Sequence, residues 1–168
     1  CGLPANTAER KAAAKASSLG VTHVHLPNGR MMPLLKTMMT TACERNCHYC
    51  PFRAGRSSTR RVTFAPDEMA KAFIDMRRAG AVNGLFLSSG IIQSVDYTME
   101  QLVEVARRLR LHHHFGGYIH LKAVPNASPE LLNEAGRYAD RLSANVELPT
   151  SADLSKLDEA AQSELSQI

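Results

Sequence analysis

From Leu34 onward the chain alternates short apolar runs with longer stretches of helical period, and this rhythm constrains the fold more than any other feature of the sequence. Leu34 to Ala42 is the first run. A helix from about Pro66 to Ala79 follows: Pro66 suits a first helical position, Met69, Ala72, Phe73 and Met76 share one face, and Gly80 stops it. Gly84 to Ser88 is the next strand. The helix after it is predicted to open at Thr98, with Gln101 at capping-box spacing, and to turn Leu102, Val103, Ala106 and Leu109 inward. Tyr118 to Val124 is a third strand, Ser128 and Pro129 open a third helix, and Arg141 to Leu148 is a fourth strand before a last helical pattern. Strand, helix, strand in repetition predicts a parallel sheet with right-handed crossovers.

Strand parity refines this. Tyr118, His120, Lys122 and Val124 fall on one face of the third strand and Ile119, Leu121 and Ala123 on the other. In the fourth, Ser143, Asn145 and Glu147 oppose Leu142, Ala144, Val146 and Leu148. Helices cover both faces of an ordinary parallel sheet, which then reads apolar on both. Polar groups along one face predict a cavity lined by the sheet, as in a barrel or an open part-barrel.

Ahead of this core, Thr7 to Ser18 has the composition of a short surface helix ending at Gly20. Val21 to Leu26 and Met31 to Thr41 flank Pro27, Asn28 and Gly29, a hairpin signal. The organisation expected is residues 1–30 as an N-terminal helix and the start of the hairpin, and residues 31–168 as the core domain, incomplete at its C-terminal end. At 168 residues the chain can bury one core. It has no long apolar run and no charged-then-apolar leader, so the expectation is a soluble, cytoplasmic protein without a membrane partner.

Three of the four cysteines crowd together in Cys43-Glu-Arg-Asn-Cys47-His-Tyr49-Cys50. The C-x3-C-x2-C spacing suits a metal site in a reducing compartment better than a disulfide framework. It directly follows the C-terminal end of the first core strand, where α/β barrels keep their chemistry. Three soft thiolates on one tight loop favour an iron-sulfur cluster or zinc. A closed electron-transfer cluster takes four cysteines, so three leave one iron open to an external ligand. The alternative is zinc completed by His48, which is badly placed beside Cys47, or by the distant Cys1.

This motif resembles that of the radical S-adenosylmethionine superfamily. The resemblance implies a partial (β/α)6 barrel of the TIM type. It also implies a [4Fe-4S] cluster on Cys43, Cys47 and Cys50, with Tyr49 as the aromatic residue preceding the last cysteine, and S-adenosylmethionine chelated to the open iron. The implied chemistry is one-electron cleavage of the sulfonium to a 5'-deoxyadenosyl radical that takes hydrogen from a substrate, with flavodoxin or ferredoxin as electron donor. Ser88, Ser89 and Gly90 stand where family members carry Gly-Gly-Glu against the cofactor's amino group, and depart from it in lacking the acid. Ser143, Asn145 and Glu147 would meet its ribose or carboxylate, and Lys122 its carboxylate. The closest likeness is to bacterial radical enzymes assigned to DNA modification or repair, in which a helix-hairpin-helix region would follow.

The charge pattern bears on the substrate. Arg53, Arg56, Arg60 and Arg61 lie in an acid-free stretch from residue 51 to 66, and without them the chain holds 16 bases and 16 acids. Such a loop attracts nucleic acid or another anion, or is simply solvated. The expected reaction is therefore on nucleic acid. The alternatives are a radical enzyme acting on a peptide or small metabolite, and a non-enzymatic zinc or iron-sulfur module that binds nucleic acid. His112, His113 and His114 splay apart on a helix and read as a solvated helix end, while Met31, Met32, Met38 and Met39 read as core filler.

Overall fold

The computed structural model describes residues 20–26, 28–47, 50–55 and 60–145. Strand β1 (Val21–His25) and strand β2 (Met31–Met38) form the hairpin, antiparallel, with Val21 opposite Leu35 and His25 opposite Met31. The turn between them holds Gly29 at φ 77°, and Asn28 Oδ1 accepts the Arg30 N–H. Helix α1 (Pro66–Arg78), strand β3 (Gly84–Ser88), helix α2 (Val95–Leu111), strand β4 (Tyr118–Lys122), helix α3 (Pro129–Tyr138) and strand β5 (Arg141–Ser143) follow. The sheet order is β1-β2-β3-β4-β5, and every pair after the hairpin is parallel. The expected parallel α/β core is present. It is an open sheet: nothing among the described residues closes it into a barrel. The hairpin covers the β2 edge with an antiparallel strand, which removes one exposed row of backbone donors and acceptors.

Among the described residues the three helices lie on one side of the sheet. Met69 and Phe73 of α1, Leu102 and Leu109 of α2 and Ala135 of α3 share a core with Leu85, Leu87, Ile119 and Leu121 of the sheet. Each fully buried Leu, Ile or Phe there stabilises the fold by about 1.5–3 kcal/mol. Phe73 meets Phe115 edge to face, with ring centroids 4.9 Å apart.

Several details differ from the sequence reading. Helix α1 buries Ala70 and Ile74 and leaves Ala72 exposed, because its core-facing stripe is turned from the one its spacing suggested. Helix α2 begins at Val95: Ser94 is the cap, its hydroxyl accepting the Tyr97 N–H at 3.0 Å. Thr98 is buried inside that helix, where its hydroxyl donates to the carbonyls of Ile92 and Ser94. Of the clustered methionines only Met39 is core, while Met31 at the hairpin edge is 49% exposed. The strand predicted from Arg141 to Leu148 ends at Ser143 as β5, while the predicted helix over Thr7 to Ser18 and everything beyond Asn145, the last helix included, lie outside the described residues. No helix among the described residues is long and apolar enough to cross a membrane.

Candidate functional site

The cysteine loop leaves the C-terminal end of β2 and is closed at its neck by its own return. Phe64 N–H donates to Met39 O at 3.0 Å and Thr41 N–H to Val62 O at 2.9 Å, so residues 39–41 and 62–64 run side by side. The Thr40 and Thr63 hydroxyls meet at 2.7 Å, and the Thr41 hydroxyl accepts the Val62 N–H at 2.8 Å. β-branched threonines fit this short pairing, and their hydroxyls saturate backbone groups that a loop otherwise leaves to water.

A single guanidinium ties the two ends of the loop together. Arg61 donates through Nη1 to Thr41 O at 2.7 Å and Phe52 O at 2.8 Å, and through Nη2 to Arg53 O at 2.7 Å. Thr41 lies just ahead of Cys43, and Phe52 and Arg53 just after Cys50. The rigid fork of arginine reaches three carbonyls at once, which a lysine cannot do. Of the predicted anion contacts, then, Arg61 spends much of its donor capacity on the loop itself. Arg60 is exposed and Arg53 half-buried, while Arg56 lies outside the described residues.

The exit of β3 presses against the start of the same loop. Met39 N–H donates to Ser88 O at 2.7 Å and Gly90 N–H to Thr40 O at 2.9 Å. Gly90 is a necessity here: a Cβ at that position would stand 2.1 Å from Ala42 O and 3.1 Å from the Cys43 Cβ. The next residue, Ile91, donates its N–H to Cys43 Sγ at 3.4 Å and accepts the Glu44 N–H at 2.8 Å. Cys50 Sγ accepts the Phe52 N–H at 3.4 Å, and Cys50 N–H donates to Cys47 O at 2.9 Å. Backbone N–H groups aimed at sulfur tune any metal that the sulfur holds.

Cys43, Cys47 and Cys50 are all half-buried. Among the described residues no group of three or more His, Cys, Asp or Glu side chains is arranged to hold a metal ion as it stands. The donor chemistry fits an iron-sulfur cluster all the same: three cysteine sulfurs carried by one braced loop, two of them accepting backbone N–H groups.

The remaining predicted residues fall in two places. Ser88, Ser89 and Gly90 stand beside the loop, but both hydroxyls are turned to backbone, Ser88 Oγ donating to Thr37 O at 3.3 Å and Ser89 Oγ to Gly90 O at 2.7 Å. Lys122 and Ser143 are partners across β4 and β5 and share a face of the sheet with Ser88. Asn145 is exposed just beyond β5, and Tyr49 and Glu147 lie outside the described residues. A cavity of about 250 Å³ behind the neck, between Phe64 and Tyr97, includes Ser89 but no cysteine. His112, His113 and His114 are exposed after the end of α2, as their spacing predicted.

Sequence reasoning missed His120. It is 9% exposed, its Nε2 lies 2.7 Å from Ser143 Oγ, and its ring meets Phe86 edge to face with centroids 4.6 Å apart. Burial, helped by the nearby Arg141 charge, holds its pKa below the ordinary 6.5. Parity had put His120 on the polar face, but only the pairing of β4 with β5 brings Ser143 to it.

No protein-family model and no curated protein matches this chain. Among solved structures it is similar to the crystal structure of HydG, a maturase of the [FeFe]-hydrogenase, at 15% identity and a TM-score of 0.48. The match covers 62% of this chain and 23% of that one, so the chain spans under a quarter of that protein's length.

Proposed function

We propose that the chain carries the cluster-binding region of a radical S-adenosylmethionine enzyme in which Cys43, Cys47 and Cys50 hold a [4Fe-4S] cluster. The observation that carries this reading is the braced loop: a C-x3-C-x2-C run at the C-terminal end of a parallel strand, fastened by Arg61, with Cys43 drawn against Ile91. Held by three cysteines, such a cluster would keep one iron for the amino and carboxylate groups of S-adenosylmethionine. A cluster held there would supply, from flavodoxin or ferredoxin, the single electron for reductive cleavage of the sulfonium into methionine and a 5'-deoxyadenosyl radical.

The chain's own residues position and shield. Gly90 lets the β3 exit approach the loop, so that backbone atoms of residues 88–91 border the site. Ser88 and Ser89, their hydroxyl protons committed to carbonyls, keep oxygen lone pairs to accept from the cofactor's ammonium group. Lys122, Ser143 and Asn145 supply charge and hydrogen bonds to its carboxylate and ribose, and Tyr49 and Glu147 complete the set assigned to it. Arg53, Arg56 and Arg60 favour a nucleic-acid substrate, in keeping with DNA modification or repair.

Anaerobic reconstitution followed by electron paramagnetic resonance tests the reading. The reduced protein is expected to show a [4Fe-4S] signal that changes when S-adenosylmethionine is added, and Cys43→Ala is expected to abolish it. Zinc uptake with no cluster, or a signal indifferent to S-adenosylmethionine, would overturn the proposal in favour of a metal-binding module.

A further inference from the structure

Among the described residues the five strands carry no Asp or Glu, whereas they carry Lys36, Lys122, Arg141 and His120 on the face away from the helices. Register sets these side chains in layers. Leu34, Gly84 and Tyr118 form the layer nearest the N-terminal ends of the strands, where Leu34 and Tyr118 crowd over Gly84 and seal that end. Next comes Lys36, Phe86, His120 and Arg141, four consecutive partners across β2 to β5. Ser88, Lys122 and Ser143 lie above, toward the cysteine loop.

The acids of the helical segments sit on the other layer. Asp75 pairs with Lys71, Glu104 with Arg107 and Arg108, and Asp67 with Arg108. Asp140, just ahead of β5, is held by Arg110 and the Ile119 N–H. Among the described residues Lys36, Lys122 and Arg141 have no ion pair, and no helix lies over them. Lys36 Nζ stands 5.4 Å from the centre of the Phe86 ring, and His120 is fixed between Lys36 and Arg141 by Ser143. Since burial keeps His120 neutral near pH 7, the positive charge of this face comes from its two lysines and its arginine.

We propose that this face binds a ligand bearing phosphate, with Lys36 and Arg141 as its anion contacts, one layer beneath the residues assigned to the cofactor. With Lys122 assigned to the cofactor's carboxylate, Lys36 and Arg141 remain without an acidic partner among the described residues, and the arginine fork matches phosphate oxygens two at a time. Neighbouring strands are about 4.8 Å apart, so Lys36 and Arg141 are separated by roughly 14 Å at the backbone, a gap that their long side chains narrow to the size of a diphosphate or nucleotide. That this ligand is the substrate rests on the radical-enzyme reading; that it binds does not.

The test is calorimetric titration of the full chain, without a cluster, at low salt. The probes are inorganic pyrophosphate, succinate, and a short single-stranded deoxyoligonucleotide. Pyrophosphate is expected to bind, and Lys36→Gln and Arg141→Gln, both at exposed positions, are each expected to weaken it about tenfold, the loss typical of one charge-assisted contact. Lys71→Gln, the same change of charge on the helical side, should leave the affinity unaltered. If the oligonucleotide binds and loses affinity with the same two variants, the phosphate is that of nucleic acid. If it is indifferent to them while pyrophosphate is sensitive, the ligand is a small phosphorylated molecule. The proposal is overturned if pyrophosphate does not bind, if succinate binds as tightly, or if all three variants behave alike. Iron content and the paramagnetic signal, measured separately on reconstituted protein, report on the cluster alone, so a failed cluster leaves the phosphate site standing.

Discussion

Arg61 shows how much one side chain can decide. Its three bonds to Thr41, Phe52 and Arg53 span the cysteines, and each charge-assisted bond contributes about 1.5–3 kcal/mol against being left unmade. Arg61→Lys keeps the charge and loses the fork. Both it and Arg61→Gln are expected to speed proteolysis within the loop in the metal-free protein and to lower iron bound per chain, while the helical circular dichroism stays unchanged. If either variant loads iron like the parent, the brace has no part in forming the site. An arginine in a basic stretch reads as a solvated or anion-binding charge from sequence; only the return of residues 60–64 against 39–41 turns it inward.

At the scale of elements, the two ends of the sheet are stabilised differently. The end nearest the cysteines is a neck of short pairings and glycine contacts, whereas the opposite end is clamped by Arg110. That guanidinium donates to Tyr138 O, Phe115 O, Gly117 O and Asp140 Oδ2, and Asp140 in turn accepts the Ile119 N–H, so that α2, α3, β4 and the approach to β5 meet at one residue. Arg110→Ala takes this donor from three carbonyls and leaves the Asp140 carboxylate with the Ile119 N–H. It is expected to cost about 2–4 kcal/mol, read as a fall in the denaturant midpoint, with little effect on metal uptake. Equal loss of iron and of stability would mean that the two ends are not independent. Ser94 and Thr98 both have cap chemistry, and burial of Thr98 settles which one is inside the helix.

For the molecule as a whole, the one-sided cover of the sheet makes stability depend on pH. His120 has a folded pKa below its unfolded value, because burial first and Arg141 second disfavour the imidazolium. The unfolded chain therefore binds a proton that the folded chain refuses. Stability is full above the unfolded value of 6.5 and falls as the pH drops below it, by at most about 1.4 kcal/mol per pH unit from this group. Thermal unfolding followed from pH 7.5 down to about 5 is expected to show this decline, and His120→Gln to flatten it. A slope that the variant shares with the parent would assign the effect to carboxylates instead.

Periodicity and spacing alone determined the order of strands and helices, the hairpin at Asn28-Gly29, the bounds of β3 and the position of the cysteine run at a strand's C-terminal end. Those are local properties: a period of two or of 3.6, a proline or glycine at an element's edge, three thiols on a short loop. Parity also foretold a polar face on β4 and β5. What tertiary structure decided is everything that depends on residues far apart in the chain: which stripe of α1 is buried, that Gly90 must lack a side chain because Ala42 lies against it, that Arg61 faces its own loop, and that Lys36, Phe86, His120 and Arg141 line up in one row. Pairing register fixes such neighbours, and register is an outcome of the whole sheet packing against its helices at once.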